Sequence, residues 1–592
     1  MRAVRPQLWL LLILALNAFA LDATAQYFAF GRNKVQYRNF EWYYIQSEHF
    51  DVYFTEGGEY LAKFTADAAE AAYATVRKDF RYEINNRIAF IVYKSHNDFQ
   101  QNNVISEYLE EGVGGVTELY KNRIVIPFDG DYRRFRHVIH HELIHAVVND
   151  MIYGGSVQSA IANNIRLQIP LWFNEGIAEY QALEWDTNSD MFISDAIINN
   201  YLAPIPQLYG YFAYRGGQSV WKFISEKYGR EKISEIMARL RATRNLDAAF
   251  RGSLGLSVEE LSEKWLREQK VTYWPEIARR EDINTIMKKL TDHRKDGSNY
   301  NTSPAISPQG DKFAFISDRS GYFDIYVGST LNPKEQRRLV AGQTSPDFEE
   351  LKILTPGITW SPDGKKIALA TKAGEQDAIM FIDVETGATE KLSFALDGIF
   401  SVDWSPDGEK LAFIGNQDYR SDVYVYHLKT GELINLTNDV FSDADPSWSP
   451  DGKKIYFSSD RQNYTLIFPD TLSNARPYRT GQSSRDVFKM RLHDYSQYDL
   501  YELTLANASV RRLTATDGVD ESSPVIGPDG KRMLFISDRN GVYNIYEMIL
   551  EGIESLGPLA GATASLEALP AALPQPKVRP ITDLLSGIRH IS

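Results

Sequence analysis

Five tight turns recur through the second half of the chain: Ser307-Pro-Gln-Gly310, Ser361-Pro-Asp-Gly364, Ser405-Pro-Asp-Gly408, Ser449-Pro-Asp-Gly452 and Gly527-Pro-Asp-Gly530. Each feeds an apolar run such as Lys312-Phe-Ala-Phe-Ile316, which reads as a strand. The prolines step by 54, 44, 44 and 78 residues, a unit near 44 with two insertions. A repeat of that length with four short strands cannot bury its own faces, and its stable solution is the blade of a β-propeller. The larger insertion, around Gln462 to Gln497, reads as a surface loop. After an Ala, Leu and Pro segment running to about Pro576, Arg579-Pro-Ile-Thr-Asp583 and Gly587-Ile588 restart the pattern of Gly398-Ile399. The second half is therefore expected to hold five blades and the start of a sixth.

The first half carries His141-Glu142-Leu143-Ile144-His145. A helix advances about 100° per residue, so His141 and His145 stand one turn apart and can share one metal. Glu142 lies beside them, able to take a proton from water at an open coordination position, which is the arrangement of zinc peptidases. Five residues match by chance too easily, so context decides. Phe135, Val138, Ile139, Leu143, Ile144, Val147 and Val148 make this helix apolar over most of its circumference, as in a buried helix whose histidines need partners. Asp131 is its expected N-cap. His137 faces nearly the same side, but a third ligand on one straight helix would lie too far from the metal, so a supporting role is expected. His140 points elsewhere, towards a polar rim. Downstream, the stretch from Pro170 to Tyr180 offers Glu175 as a third ligand, thirty positions after His145. Pro170 suits a helix start, and Gly176 would let this second helix approach the first closely. Two His and one Glu would leave the fourth position of a single Zn2+ open, though other first-row metals accept the same ligands.

Trp172-Phe173-Asn174-Glu175-Gly176-Ile177-Ala178 resembles the W-x-N-E-G-x-A signature of gluzincin metallopeptidases, and residues 40 to 270 resemble the peptidase-MA-like domains of bacterial envelope proteins. The resemblance implies Glu175 as the third zinc ligand. It implies that Glu179 orients a ligand histidine from behind, with Asn174 in the same supporting layer. It also implies an oxyanion donor from the later helical part, for which Tyr214 and Tyr211 are candidates. In the second half, the turns at Asp318-Arg319, Asp460-Arg461 and Asp538-Arg539 resemble those of Tol-type periplasmic propellers, and turn geometry accounts for their aspartates. Tol-type rings usually close with six blades, which implies that this ring is incomplete at the C-terminus.

Residues 1–25 read as a secretory signal, with Arg2 and Arg5 before the apolar run Leu8 to Ala20 and Ala23-Thr-Ala25 as the cleavage site. An uncleaved anchor is the alternative. The chain contains no cysteine, which excludes disulfides, thiolate metal sites, a cysteine nucleophile and lipid attachment through cysteine. A net charge of −14 argues against nucleic acid, whose phosphates need a basic face. The expected organisation is multidomain: an α+β zincin-type domain over 26–275, a linker over 276–300 and propeller repeats over 301–592. Within the first domain, His49 to Phe54 and Arg87 to Tyr93 read as strands, and Tyr60 to Arg77 as a helix. Glu111-Gly-Val-Gly-Gly-Val-Thr-Glu118 resembles a phosphate loop but lacks a following Lys-Ser/Thr, so a bend beside a sheet edge is expected. Arg123 to Phe128 is expected to be the edge strand, because Pro127 lacks a donor, and its Ile124, Val125 and Ile126 to pair with an extended peptide. Later helices are expected at Ser219 to Lys227, Glu231 to Ala242 and Ser257 to Gln269.

The expected function is that of an exported, single-zinc metallopeptidase acting on a peptide or protein substrate, with no integral membrane span in the mature chain. Its place is the periplasm or outer membrane of a Gram-negative bacterium, and its propeller admits substrates or docks an envelope protein partner. The competing expectation is a catalytically silent zincin fold in an interaction scaffold. A serine peptidase of the prolyl-oligopeptidase type is excluded on this chain by the absence of G-x-S-x-G.

Overall fold

The computed structural model describes residues 34–104, 109–119, 121–154, 169–355, 357–462, 464, 493–550 and 577–591. The expected signal segment, nearly all of the insertion between 462 and 497, and the Ala, Leu and Pro segment ending near 576 lie outside the described residues.

The first domain is built on strands β1 (Trp42–Gln46), β2 (Phe50–Thr55), β3 (Ile88–Tyr93), β4 (Val116–Thr117) and β5 (Arg123–Pro127), in the order β1-β2-β3-β5-β4. β3 runs parallel to both β2 and β5. Helix α1 (Glu59–Phe80) buries Leu61, Phe64, Ala69, Tyr73, Val76 and Phe80 at helical spacing. α2 (Tyr132–Tyr153) carries Arg133, Arg134, Arg136 and His137 in its first turns and is buried through its second half. Asp131 caps it as expected, accepting the Arg134 N–H at 2.9 Å.

The edge-strand expectation is corrected. β5 pairs with β3 on one side and β4 on the other, so Ile124, Val125 and Ile126 are internal and buried. The edge falls to β4, which pairs Val116 with Val125 and Thr117 with Ile124. Pro127 is tolerated because β4 stops short of it. Phe128 donates to Tyr93 at 2.9 Å, and since successive amides point to opposite sides, the missing Pro127 donor faces the side that β4 leaves open.

Helices α3 (Leu171–Leu183), α4 (Thr187–Ile198), α5 (Tyr211–Tyr228), α6 (Glu231–Thr243), α7 (Leu246–Leu254) and α8 (Val258–Tyr273) complete this domain. α5 begins two turns before the expected Ser219, which carries Tyr214 onto a helix. Its glycine pair is a contact surface: a Cβ on Gly217 would lie 2.2 Å from the Trp172 carbonyl, and one on Gly176 would lie 2.4 Å from the Gly217 backbone. Gly176 thus brings α3 onto α5, not onto the histidine helix as expected.

Beyond the expected linker, which lies along the first blade with Leu290 packed on Phe313, Phe315 and Tyr326, five sheets follow at 301–340, 350–393, 398–435, 443–512 and 521–580, each four-stranded except the second, in which the short strands Glu350–Leu351 and Thr359–Trp360 both pair with Lys366–Ala373. Each repeated turn ends on a glycine with φ between 67° and 75°, the left-handed conformation the motif demanded. Apolar clusters join successive blades, such as Ile414 and Val423 of the third with Trp448 and Phe457 of the fourth. Asp318, Asp460 and Asp538 each accept the backbone N–H of the residue eighteen positions earlier, Tyr300, Ser442 and Asp520, at 2.9 Å. The recurrence makes them structural. Of the stretch expected to start a sixth blade, Arg579 and Pro580 belong to Val578–Pro580, which pairs with Asn544–Ile549 as the outer strand of the fifth, and Gly587 and Ile588 lie in no strand.

The two halves share one core. The apolar cluster around α1 and α2 extends to Val440, Phe441 and Tyr495 of the propeller. The start of α2 stands on the propeller: the Tyr132 hydroxyl donates to the Tyr419 carbonyl at 2.7 Å, and Arg133 reaches Asp520 at 2.7 Å while lying over the Tyr498 ring.

Candidate metal centre

α2 and α3 bring three ligand atoms together. His141 Nε2 and His145 Nε2 are 3.0 Å apart, and Glu175 Oε2 lies 3.2 Å from the first and 3.1 Å from the second. All three side chains are buried. Four tetrahedral bonds of about 2.0 Å to zinc set ligand atoms about 3.3 Å apart, so this triangle is close to one face of a zinc tetrahedron. Its donors, two imidazoles and a carboxylate, also suit zinc.

The supporting layer is Glu179, one turn after Glu175 on α3. Its Oε1 lies 3.1 Å from His141 Nδ1, so the far nitrogen of a candidate ligand faces a carboxylate, at ion-pair distance but outside hydrogen-bond alignment. Arg215 on α5 reaches Glu179 Oε2 at 3.0 Å and also donates to Ser189 Oγ and Gln218 Oε1, both at 3.1 Å. His137 lies 3.4 Å from the same Glu179 oxygen. His137, His141 and Glu179 are close enough to form a second ligand group, but the Arg215 guanidinium already holds Glu179, and a cation there would meet it. His137 thus lies beside Glu179, on the side away from Glu175. His140 does not reach a polar rim: its Nε2 is buried with no hydrogen-bond partner among the described residues, and burial pushes the ring's pKa down to about 3.

Carboxylates dominate the electrostatics. Burial opposes charge on His141, yet Glu175 and Glu179, helped by Glu142, outweigh it and raise its pKa to about 10. Glu175 shows the reverse: burial raises its pKa, and the two histidines bring it far below the usual carboxylate range.

Glu142 faces β4. The Thr117 hydroxyl donates to Glu142 Oε2 at 2.6 Å and lies 3.0 Å from the Glu142 carbonyl. A Cβ on Gly115 would lie 2.9 Å from Glu142 Cγ, so glycine lets the edge strand lie directly on the histidine helix. Tyr214 stacks on the His141 ring at 6.0 Å and 12°, and Tyr211 follows it at 6.3 Å. Burial and the charges of Glu175, Glu142 and Glu179 raise the Tyr214 pKa, which keeps the phenol a donor. Asn174 is half-buried, and among the described residues no hydrogen bond ties it to the three ligands.

Thr117 and Arg215 were not singled out by sequence. Thr117 carried one signal, a β-branched pair straight after Gly114-Gly115; Arg215 carried none beyond its place beside Tyr214.

Residues 68–270 match the family model described as Peptidase MA superfamily, and residues 347–487 match that of the TolB beta propeller domain. No curated protein matches the chain. Among solved structures, TolB from Acinetobacter baumannii is 20% identical over 43% of this chain and 52% of its own, about half its length, with a TM-score of 0.31. A putative TolB from Agrobacterium tumefaciens is 22% identical over 43% of this chain and 78% of its own, with a TM-score of 0.32. A prolyl endopeptidase structure is 15% identical over 49% of this chain and 40% of its own, at 0.28. These scores are too low to bear on activity. Among the described residues, no helix is long and apolar enough to cross a membrane. The chain joins a Peptidase MA superfamily domain, matched over residues 68–270, to a TolB-type β-propeller.

Proposed function

We propose that this protein is a zinc-dependent metallopeptidase. The observation that carries the reading is the triangle of His141 Nε2, His145 Nε2 and Glu175 Oε2, with sides of 3.0 to 3.2 Å, beside the Glu142 carboxylate. Zinc held by these three residues supplies Lewis acidity and makes water a nucleophile at neutral pH. Glu142 serves as general base and then returns the proton to the leaving amine. Thr117 aims its carboxylate, and Glu179 holds His141 in place. The Tyr214 hydroxyl, kept protonated, is a donor for the developing oxyanion. An extended peptide substrate pairs with the outer side of β4, the edge strand next to Glu142.

Export to the periplasm of a Gram-negative bacterium fits the apolar segment after Arg2 and Arg5, the TolB-type propeller and the absence of cysteine. Metal content and activity should rise and fall together. The purified chain is expected to hold one zinc per molecule, to lose cleavage of an unfolded protein on chelation and to regain it with zinc. Cleavage that persists after complete removal of zinc contradicts the proposal.

A further inference from the structure

The loop before β4 is tied to the propeller. The Glu111 carboxylate accepts the backbone N–H groups of Ile353 at 2.7 Å and Leu354 at 3.2 Å, both in the second blade. The Glu111 N–H donates in turn to Glu350 Oε1 at 2.6 Å. Gln100 closes the joint by donating to both the Leu109 carbonyl and Glu350 Oε2, at 2.6 and 2.7 Å.

Between Glu111 and β4 lie Gly112, Val113, Gly114 and Gly115. Three glycines in four residues give this stretch almost no conformational preference of its own. β4 itself is two residues long, with two pairs to β5. Its place is set by those pairs, by Gly115 lying against Glu142 and Val138, by Thr117 on Glu142 at 2.6 Å and, at its N-terminal end, by Glu111 on the propeller.

We propose that Glu111 is a positioning residue through which the propeller holds the edge strand β4 and, through Thr117, the Glu142 carboxylate. The propeller then completes the active site as well as standing beside it. This inference rests on the peptidase reading above.

The test uses the full chain with Glu111→Ala, Glu111→Gln, Thr117→Val and the Glu111→Ala/Thr117→Val double variant. Cleavage of an unfolded protein, zinc content and amide hydrogen exchange of residues 112–119 are measured on each. Glu111→Ala should retain zinc, exchange faster at 112–119 and lose between about tenfold and 10²-fold in kcat/KM, the scale expected for a misplaced catalytic group. Glu111→Gln keeps the side chain's bulk and one acceptor oxygen, so it should fall between wild type and Glu111→Ala, and it carries the test if Glu111→Ala does not fold. The double variant should lose no more than Thr117→Val alone, because both substitutions cut one path. Fully additive losses, or unchanged exchange at 112–119, would overturn the proposal. If the wild type itself cleaves nothing, the peptidase reading fails and the positioning role falls with it. Exchange at 112–119 then still decides whether Glu111 anchors the strand.

Discussion

Glu179 Oε1 lies 3.1 Å from His141 Nδ1, while Nε2 of the same ring points at the ligand triangle. One imidazole thus faces carboxylates from consecutive turns of α3 at both ends. Replacing Glu179 by Gln should weaken zinc binding by about 10- to 100-fold while leaving the fold intact. Competition with a chelator of known affinity reads this directly. Arg215→Met, which removes the guanidinium on the other Glu179 oxygen, should act in the same direction.

Gly217→Ala should destabilise the first domain by about 3 kcal/mol or more, since its Cβ would fall 2.2 Å from a backbone carbonyl and neither helix can yield without moving the candidate ligand Glu175. The urea midpoint of unfolding checks the stability. A parallel zinc titration should show weaker binding.

Phe441 belongs to the propeller chain but is buried in the core of the first domain. Phe441→Ala should cost about 3–5 kcal/mol and lower the thermal stability of both halves together. Two separate calorimetric transitions, with only the propeller's moved, would show that the halves unfold independently.

Three propeller carboxylates, the half-buried Asp403 and the buried Asp499 and Glu521, bind protons more tightly folded than unfolded. Burial raises Asp403 and Asp499 to about 6, and raises Glu521 to about 7 against the pull of Arg539. At these three groups the folded state holds more protons than the unfolded state from about pH 4 to 7, and their contribution to stability falls as pH rises through that window. The urea midpoint should be lower at pH 7.5 than at pH 5. Asp403→Asn should flatten that slope, since the amide keeps one acceptor for Trp448 or Thr359 and does not titrate.

The parts of this architecture that rest on local rules were legible in the sequence. His141 and His145 sit four apart among apolar neighbours, and Gly364, Gly408 and Gly452 mark turns that need positive φ, so spacing and local context exposed them. Asp131 capped its helix for the same local reason. What escaped depends on which element lies next to which. Pro127 suggested an edge, yet the true edge is a two-residue strand too short for periodicity to reveal. Gly176 promised a close approach but could not name its partner, which proved to be Gly217. Thr117 and Glu142 are twenty-five residues apart, and only the sheet's path over α2 brings them together.

Cleavage of an unfolded protein by the wild-type chain, run beside Glu142→Gln with zinc measured in both, tests the central claim most directly. Both proteins should hold one zinc, because Glu142 is not among the three ligand residues, and the wild type should cut while the variant loses cleavage by 10²-fold or more on the order expected for a general base. Equal cleavage by the two, or none by either although both carry zinc, would contradict the account.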